Sequence, residues 1–398
     1  MATTSADAMR RYNGPALFER GFRPFFLGAA IFAALAVPAW IWVFVSGTTI
    51  HPGLSMHNLH VHEMVFGYPS AVIAGFLLTA TPNWTGRLPV TGAPLAALFL
   101  VWVAGRVAML TPFFGYAAVA TIDVAFLVVF AGLIWREIVT AGNYRNIPVC
   151  ALITLFAATN IVFHILQATG ADPGIAIRGA LGLVAMLIML IGGRIIPSFT
   201  RNWLAKQKNA KLPVPFSSFD RLAISAGILA ICFWTIQPDW IGTAWFAALA
   251  ACGHLVRMLR WRGWATFSEP LVAILHAAYL WLPIWFGLLA VSTAQIGPFS
   301  KSAAMHALTA GTIGTMTLAV MSRAILGHSG RPLSAGLGTV AIYLLAILAA
   351  VVRIAADILP MSHNSAMILS AGCWSAAFGL FVILYGPLCL KRRMSAAT

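Results

Sequence analysis

The sequence predicts an all-α fold, a polytopic membrane bundle of about twelve transmembrane helices with both ends on the cytoplasmic side. Three observations carry this reading. Of the 398 residues, 60% are hydrophobic and only 9% charged, against roughly 25% charged in soluble globular proteins. A soluble domain cannot hide that much apolar surface, whereas lipid can take the place of a core. Long apolar runs recur from one end of the chain to the other. Between every second pair of those runs, Lys and Arg cluster.

A helical span needs about 20 mostly apolar residues. Runs of that kind lie at 24–46, 63–82, 93–111, 114–135, 147–169, 178–198, 221–238, 240–258, 268–292, 302–326, 333–358 and 365–389. The tightest predicted hairpins are Thr111–Gly115 and Gln237–Trp240. The first run follows a polar start and is too long for a signal-peptide core, so it reads as a true span. The longest loop, 199–220, divides one integral domain, 1–398, into two six-helix halves, 1–198 and 221–398. Two halves of six resemble many transporters, but no internal repeat accompanies the split.

The basic residues set the orientation. Twenty of the 25 Lys and Arg fall in the N-terminal segment, in alternate loops and in the C-terminal tail. The opposite loops hold only Arg178 and Lys301. By the positive-inside rule the rich side is cytoplasmic, including loop 199–220. The same distribution excludes nucleic acid as a partner, despite a net charge of +15, because a nucleic-acid footprint would gather on one face. The five cysteines lie in or beside apolar runs with no CxxC pair, which argues against a disulfide framework or a cysteine-held zinc.

Ionisable residues inside spans are expensive and mark functional candidates. Arg106 and Arg353 fall in the outer halves of their helices, and Arg194 near an inner end. The outer pair suits either a structural ion pair, with Asp123 or Asp357, or a bound anion such as a heme propionate. Of ten histidines, His51, His57, His60, His62, His164, His306 and His363 fall at the outer level. His276 lies in the inner half of the ninth run, and His254 and His328 lie on the inner side. A lone helical histidine is usually a packing residue. Seven at one level is another matter, since neutral imidazole is the commonest side-chain metal ligand and bundle cores house metals and cofactors.

The densest stretch is His57-x-x-His60-x-His62-Glu63. On a helix, His60 and His62 point about 200° apart; in an extended lead-in they share a side. Glu63 is a candidate proton carrier, metal ligand or helix-start anion. Farther along, His306 opens a run whose small residues Ala307, Gly311, Gly314 and Thr315 permit close approach of a helix or a flat macrocycle. His306 and His328, some 33 Å apart on one helix, cannot share a site.

Long motifs run through the chain: Phe22-Arg-Pro-Phe-Phe26, His60-Val-His-Glu-Met-Val-Phe-Gly67, the segment Gly75–Gly86, Gly193–Trp203, Leu275-His-Ala-Ala-Tyr279, His306–Leu318 and Leu326–Arg331. In these the sequence resembles the NnrS family. The resemblance implies a twelve-span protein of the bacterial inner membrane that contains heme and copper, tied to denitrification and to protection from nitric oxide. The family's recurring histidines fall at His60, His62, His164, His276, His306 and His328.

The resemblance and the histidine map together lead to an expectation of two metal centres. A heme b in the outer half would take His306 and one of His60, His62 or His164 as axial ligands, with Arg106 and Arg353 toward the propionates. His276 would join only if the pocket extends inward. A second metal, copper or else iron or zinc, would use the remaining histidines among His60, His62, His164 and His306, since imidazole suits all three. Nitric oxide would be the small-molecule ligand, reduced with electrons from quinol or a periplasmic donor, and Glu63 would carry protons. The competing readings are a 6+6 secondary transporter for a metal complex or anion, with Arg194, His276 and Glu269 along its path, and a non-catalytic heme sensor. Exposed Gly and Ala faces allow a homodimer without requiring one.

Overall fold

A computed structural model describes residues 12–48, 54–111, 113–208 and 211–393. Every regular element among them is helical. Twelve helices among the described residues are long and apolar enough to cross a membrane: α1 Phe22–Ser46, α2 Met56–Thr85, α3 Ala93–Leu110, α4 Tyr116–Thr140, α5 Tyr144–Ala168, α6 Gly174–Lys206, α7 Ser218–Ile236, α8 Ile241–Leu259, α9 Pro270–Thr293, α10 Lys301–His328, α11 Leu337–Asp357 and α12 His363–Leu390. Both tight hairpins form, with Thr111 closing α3 and Gly115 opening α4, and Gln237 closing α7 and Trp240 opening α8.

Local chemistry sets the ends. The Ser55 hydroxyl accepts from the Asn58 amide at 3.1 Å and starts α2, and Ser300 does the same for α10 through Ala303 at 3.1 Å; both satisfy amides that the first turn leaves without partners. Glu269 caps α9 through the Leu271 amide at 3.2 Å, with Pro270 at the first helical position. Gly47 and Gly86, at φ 68° and 69°, take the left-handed turn that ends α1 and α2.

Two helices run farthest beyond the apolar windows. α2 begins seven residues before the predicted run at 63–82, because Met56–His62 is helical rather than extended. α6 continues through residues 199–206, which hydropathy assigned to a loop. Its last turns are amphipathic, with Ile196, Thr200 and Leu204 buried and Arg201, Asn202 and Lys206 exposed or nearly so; a window average misses such a stripe.

Three spans contain π-helical turns: Glu63–Gly67 in α2, Ile188–Gly192 in α6 and Ala307–Gly314 in α10. A π turn adds a residue to the ring and frees carbonyls from the regular ladder. Side chains take up two of them. The Gly67 carbonyl accepts from Trp102 Nε1 at 2.9 Å, and the Met189 carbonyl from Arg257 at 3.2 Å.

The chain forms two compact units, Met1–Ala180 with Ala324–Pro332 and Phe378–Thr398, and Leu181–Arg323 with Leu333–Ala377. In the first, Phe22, Phe25 and Phe26 of α1 are fully buried. Buried Arg23 bonds the Cys389 carbonyl at 3.1 Å and Glu19 at 3.2 Å. His328 stacks on Phe22, ring centroids 5.6 Å apart. In the second, Arg257 is the hub. It reaches Asp220 at 3.1 Å and the Tyr279 hydroxyl at 2.8 Å, and its guanidinium lies over Trp261 at 5.1 Å. His254 Nδ1 meets the same hydroxyl at 2.9 Å. Buried charge is tolerable here because each guanidinium has a carboxylate and further polar partners.

Candidate metal centre

Within the first unit, four helices bring their polar residues to one buried point. α2 supplies His62 and Glu63, α3 Arg106, α4 Asp123, and α5 Asn160 and His164. All six are buried. Arg106 bonds Glu63 Oε1 at 2.6 Å and also pairs with Asp123 Oδ1. His62 spans the two acids, Nδ1 at 3.0 Å from Glu63 Oε1 and Nε2 at 3.1 Å from Asp123 Oδ2. Its Nε2 also lies 3.0 Å from Asn160 Oδ1. His164 Nε2 reaches the same Asp123 Oδ2 at 3.0 Å, and the Asn160 amide donates to it at 2.8 Å. The Tyr116 hydroxyl holds His164 Nδ1 at 2.9 Å.

The geometry arises from helical periodicity. Asn160 and His164 are four apart on α5 and so share a face. His62 and Glu63 sit where α2 passes into its π turn, and that turn is fixed from outside by Trp102 on the Gly67 carbonyl. A Cβ on Gly67 would collide with the Arg106 guanidinium, so the missing side chain lets the arginine cross α2 to both acids. Phe66 and Phe163 pack on the His62 ring at 5.2 and 4.8 Å and keep the site apolar around its polar centre.

His62, Asp123 and His164 form a metal-capable group, one ligand atom from each lying within 4.8 Å of the others. The donor set fits. Two imidazoles and a carboxylate suit copper, zinc or iron, and Tyr116 orients one ligand histidine as hydrogen-bonded partners do in metal sites. The charge fits as well. Arg106 faces two carboxylates, which leaves the cluster one net negative charge for a cation. Both nitrogens of His62 lie within hydrogen-bond distance of oxygen atoms, Nδ1 of Glu63 Oε1 and Nε2 of Asn160 Oδ1, each at 3.0 Å.

The other candidate residues lie elsewhere. Because Met56–His62 is helical, His60 points away from His62. Its ring stacks on Trp40, centroids 4.6 Å apart and planes 12° apart, beside a cavity of about 480 Å³ between α1, α2 and α3. His306 and Arg353 belong to the second unit. There Ser302 joins them, its carbonyl 2.8 Å from His306 Nδ1 and its hydroxyl accepting from Arg353 at 3.0 Å. His276, also in that unit, meets Thr200 Oγ1 at 2.7 Å through Nε2, and its buried Nδ1 faces the close backbone of Gly263. His51 lies outside the described residues. Of the partners open to Arg106, the protein uses Asp123, joined by Glu63.

Sequence reasoning weighed Asp123 only as a partner for Arg106 and passed over Asn160 and Tyr116. Signals existed for two of them: Asp123 is an acid in mid-span, where charge is expensive, and Asn160 stands one helical turn before His164. Tyr116 carried none. No curated protein matches the chain. The model of the family described as NnrS protein matches residues 16–393, nearly the whole length and every residue of the buried cluster, and the chain belongs to the NnrS family.

Proposed function

We propose that this protein binds heme b and a copper-type metal in the bacterial inner membrane and reduces nitric oxide as part of nitric oxide detoxification. The observation that carries the reading is the buried His62, Asp123 and His164 group, supported by membership of the NnrS family. A metal held there supplies a coordination position and an electron. The protein's own residues do the rest. Asp123 offers Oδ2 while Arg106 engages Oδ1, Tyr116 and Asn160 hold the ligands in place, and Glu63 stands one hydrogen bond from His62, placed to pass a proton.

For the heme, His306, in the same unit as Arg353, would be the ligand left once His62 and His164 are given to the metal. Arg106 has its charge committed to two buried acids, whereas Arg353 hydrogen-bonds a serine hydroxyl and feels Asp357 without a direct ion pair, so Arg353 is the better of the two for a propionate. The test is an absorption spectrum of detergent-purified protein, oxidised and reduced, with and without nitric oxide, alongside metal analysis. One metal per chain that is lost in His164→Ala, and a b-type spectrum that is lost in His306→Ala, support the reading. A colourless, metal-free protein from heme- and copper-replete cells overturns it.

A further inference from the structure

The cavity beside His60 is distinct from the buried cluster and has an unusual distribution of chemistry. Its walls are almost wholly apolar, with Trp40 of α1 and Trp102 of α3 among them. Three polar side chains also line it: His60, Glu63 and Arg106. Its edge includes Leu35 of α1 and Val107 of α3, which are 64% and 52% exposed. Both lie within membrane spans, so that edge opens sideways to lipid rather than to water. The volume of about 480 Å³ falls within the ~300–1,000 Å³ of small-molecule sites, which combine apolar walls with a few placed polar groups.

The polar lining selects the occupant. An acyl chain would leave two buried atoms, Glu63 Oε2 and Arg106 Nε, without partners, at roughly 1–3 kcal/mol for each. A phosphate would meet the Glu63 carboxylate. Glu63 Oε2 and Arg106 Nε are buried and lack a hydrogen-bond partner among the described residues; one needs a donor and the other an acceptor. A hydroxyl provides both. The stacked Trp40 and His60 rings, with Trp102 also in the wall, suit a flat ring. The opening toward lipid suits an apolar tail.

We infer that the cavity between α1, α2 and α3 is a binding site for a lipid-soluble quinol, its hydroxyl toward Glu63, Arg106 and His60 and its tail leaving between Leu35 and Val107. The inference extends the proposed function by naming the class of its electron donor. Glu63 ties the two sites together, since it lines the cavity and its Oε1 is hydrogen-bonded to His62 of the metal group.

The experiment is calorimetric titration of the purified full-length protein in lipid nanodiscs with a decyl-tailed benzoquinol kept reduced, with metal content measured on the same samples. Saturable binding near one per chain is expected, weakened at least tenfold in Val107→Trp and again in Leu35→Trp. Both substitutions fill the mouth from exposed positions, and having two guards against one variant that merely misfolds. The inference is overturned by absence of saturable binding, by affinity unchanged in both variants, or by oleate displacing the quinol equally well. Protein that holds no metal yet binds quinol would sink the metal reading alone; protein that holds metal and binds no quinol would sink this one alone.

Discussion

Asp123 has the most demanding role of any side chain in the buried cluster. One oxygen neutralises Arg106, and the other collects His62, His164 and Asn160. Replacing it with Asn keeps the shape and removes the charge. The expected result for Asp123→Asn is loss of bound metal together with destabilisation of about 1.5–3 kcal/mol, the worth of a buried charge-assisted hydrogen bond, read by thermal unfolding in detergent. The exposed pair of Lys301 and Asp239 makes the comparison. Lys301→Ala should cost under about 1 kcal/mol and leave metal content alone. Equal effects from the two changes would show that the buried cluster is not a special site. At this scale the sequence was partly legible. An acid and an arginine in mid-span announce themselves by their cost, so the Arg106–Asp123 pairing was among the options. That His60 and His62 serve different places depended on whether residues 56–62 are helical. Composition leaves that open, and the Ser55 cap decides it.

At the scale of elements, the π turn of α2 decides where the ligands point. Four features depend on it: His62 and Glu63 stand at its start, Gly67 at its end admits Arg106, and the freed Gly67 carbonyl is held by Trp102. Removing one residue from a π turn restores α-helical register and rotates the N-terminal part of the helix by about 100° relative to the C-terminal part. Deleting Met64 should therefore abolish metal binding while helical content, measured by circular dichroism, stays unchanged. Retained metal would show that the turn does not set the ligand geometry. Trp102→Phe is the gentler test. It removes one of the two donors on the Gly67 carbonyl, the Ser70 hydroxyl at 2.9 Å being the other, at about 0.5–1.5 kcal/mol for the lost hydrogen bond, and should lower thermal stability slightly while keeping most of the metal. Hydropathy found every span because lipid rewards mean apolarity. It could not find the π turns, since one extra residue in a ring leaves the average unchanged.

At the scale of the molecule, the charge count predicts that both ends and loop 199–220 face the cytoplasm. Single cysteines placed in a cysteine-free background test it. A membrane-impermeant thiol reagent on intact spheroplasts should label Lys301→Cys and reach Arg392→Cys only after permeabilisation. The opposite pattern would invert the topology, and equal labelling would break it. The sequence by itself determined the all-helical membrane fold, the number of spans, the tight hairpins and the family, because each rests on local apolarity, on short-range spacing or on motifs contiguous in the chain. Tertiary structure alone decided that His62 and Glu63 of α2, Arg106 of α3, Asp123 of α4 and Asn160 and His164 of α5 meet at one buried point, and that His60 turns to a separate cavity. Those residues are up to about a hundred positions apart, and what joins them is helix rotation and packing, which depend on contacts between spans rather than on the composition of any one.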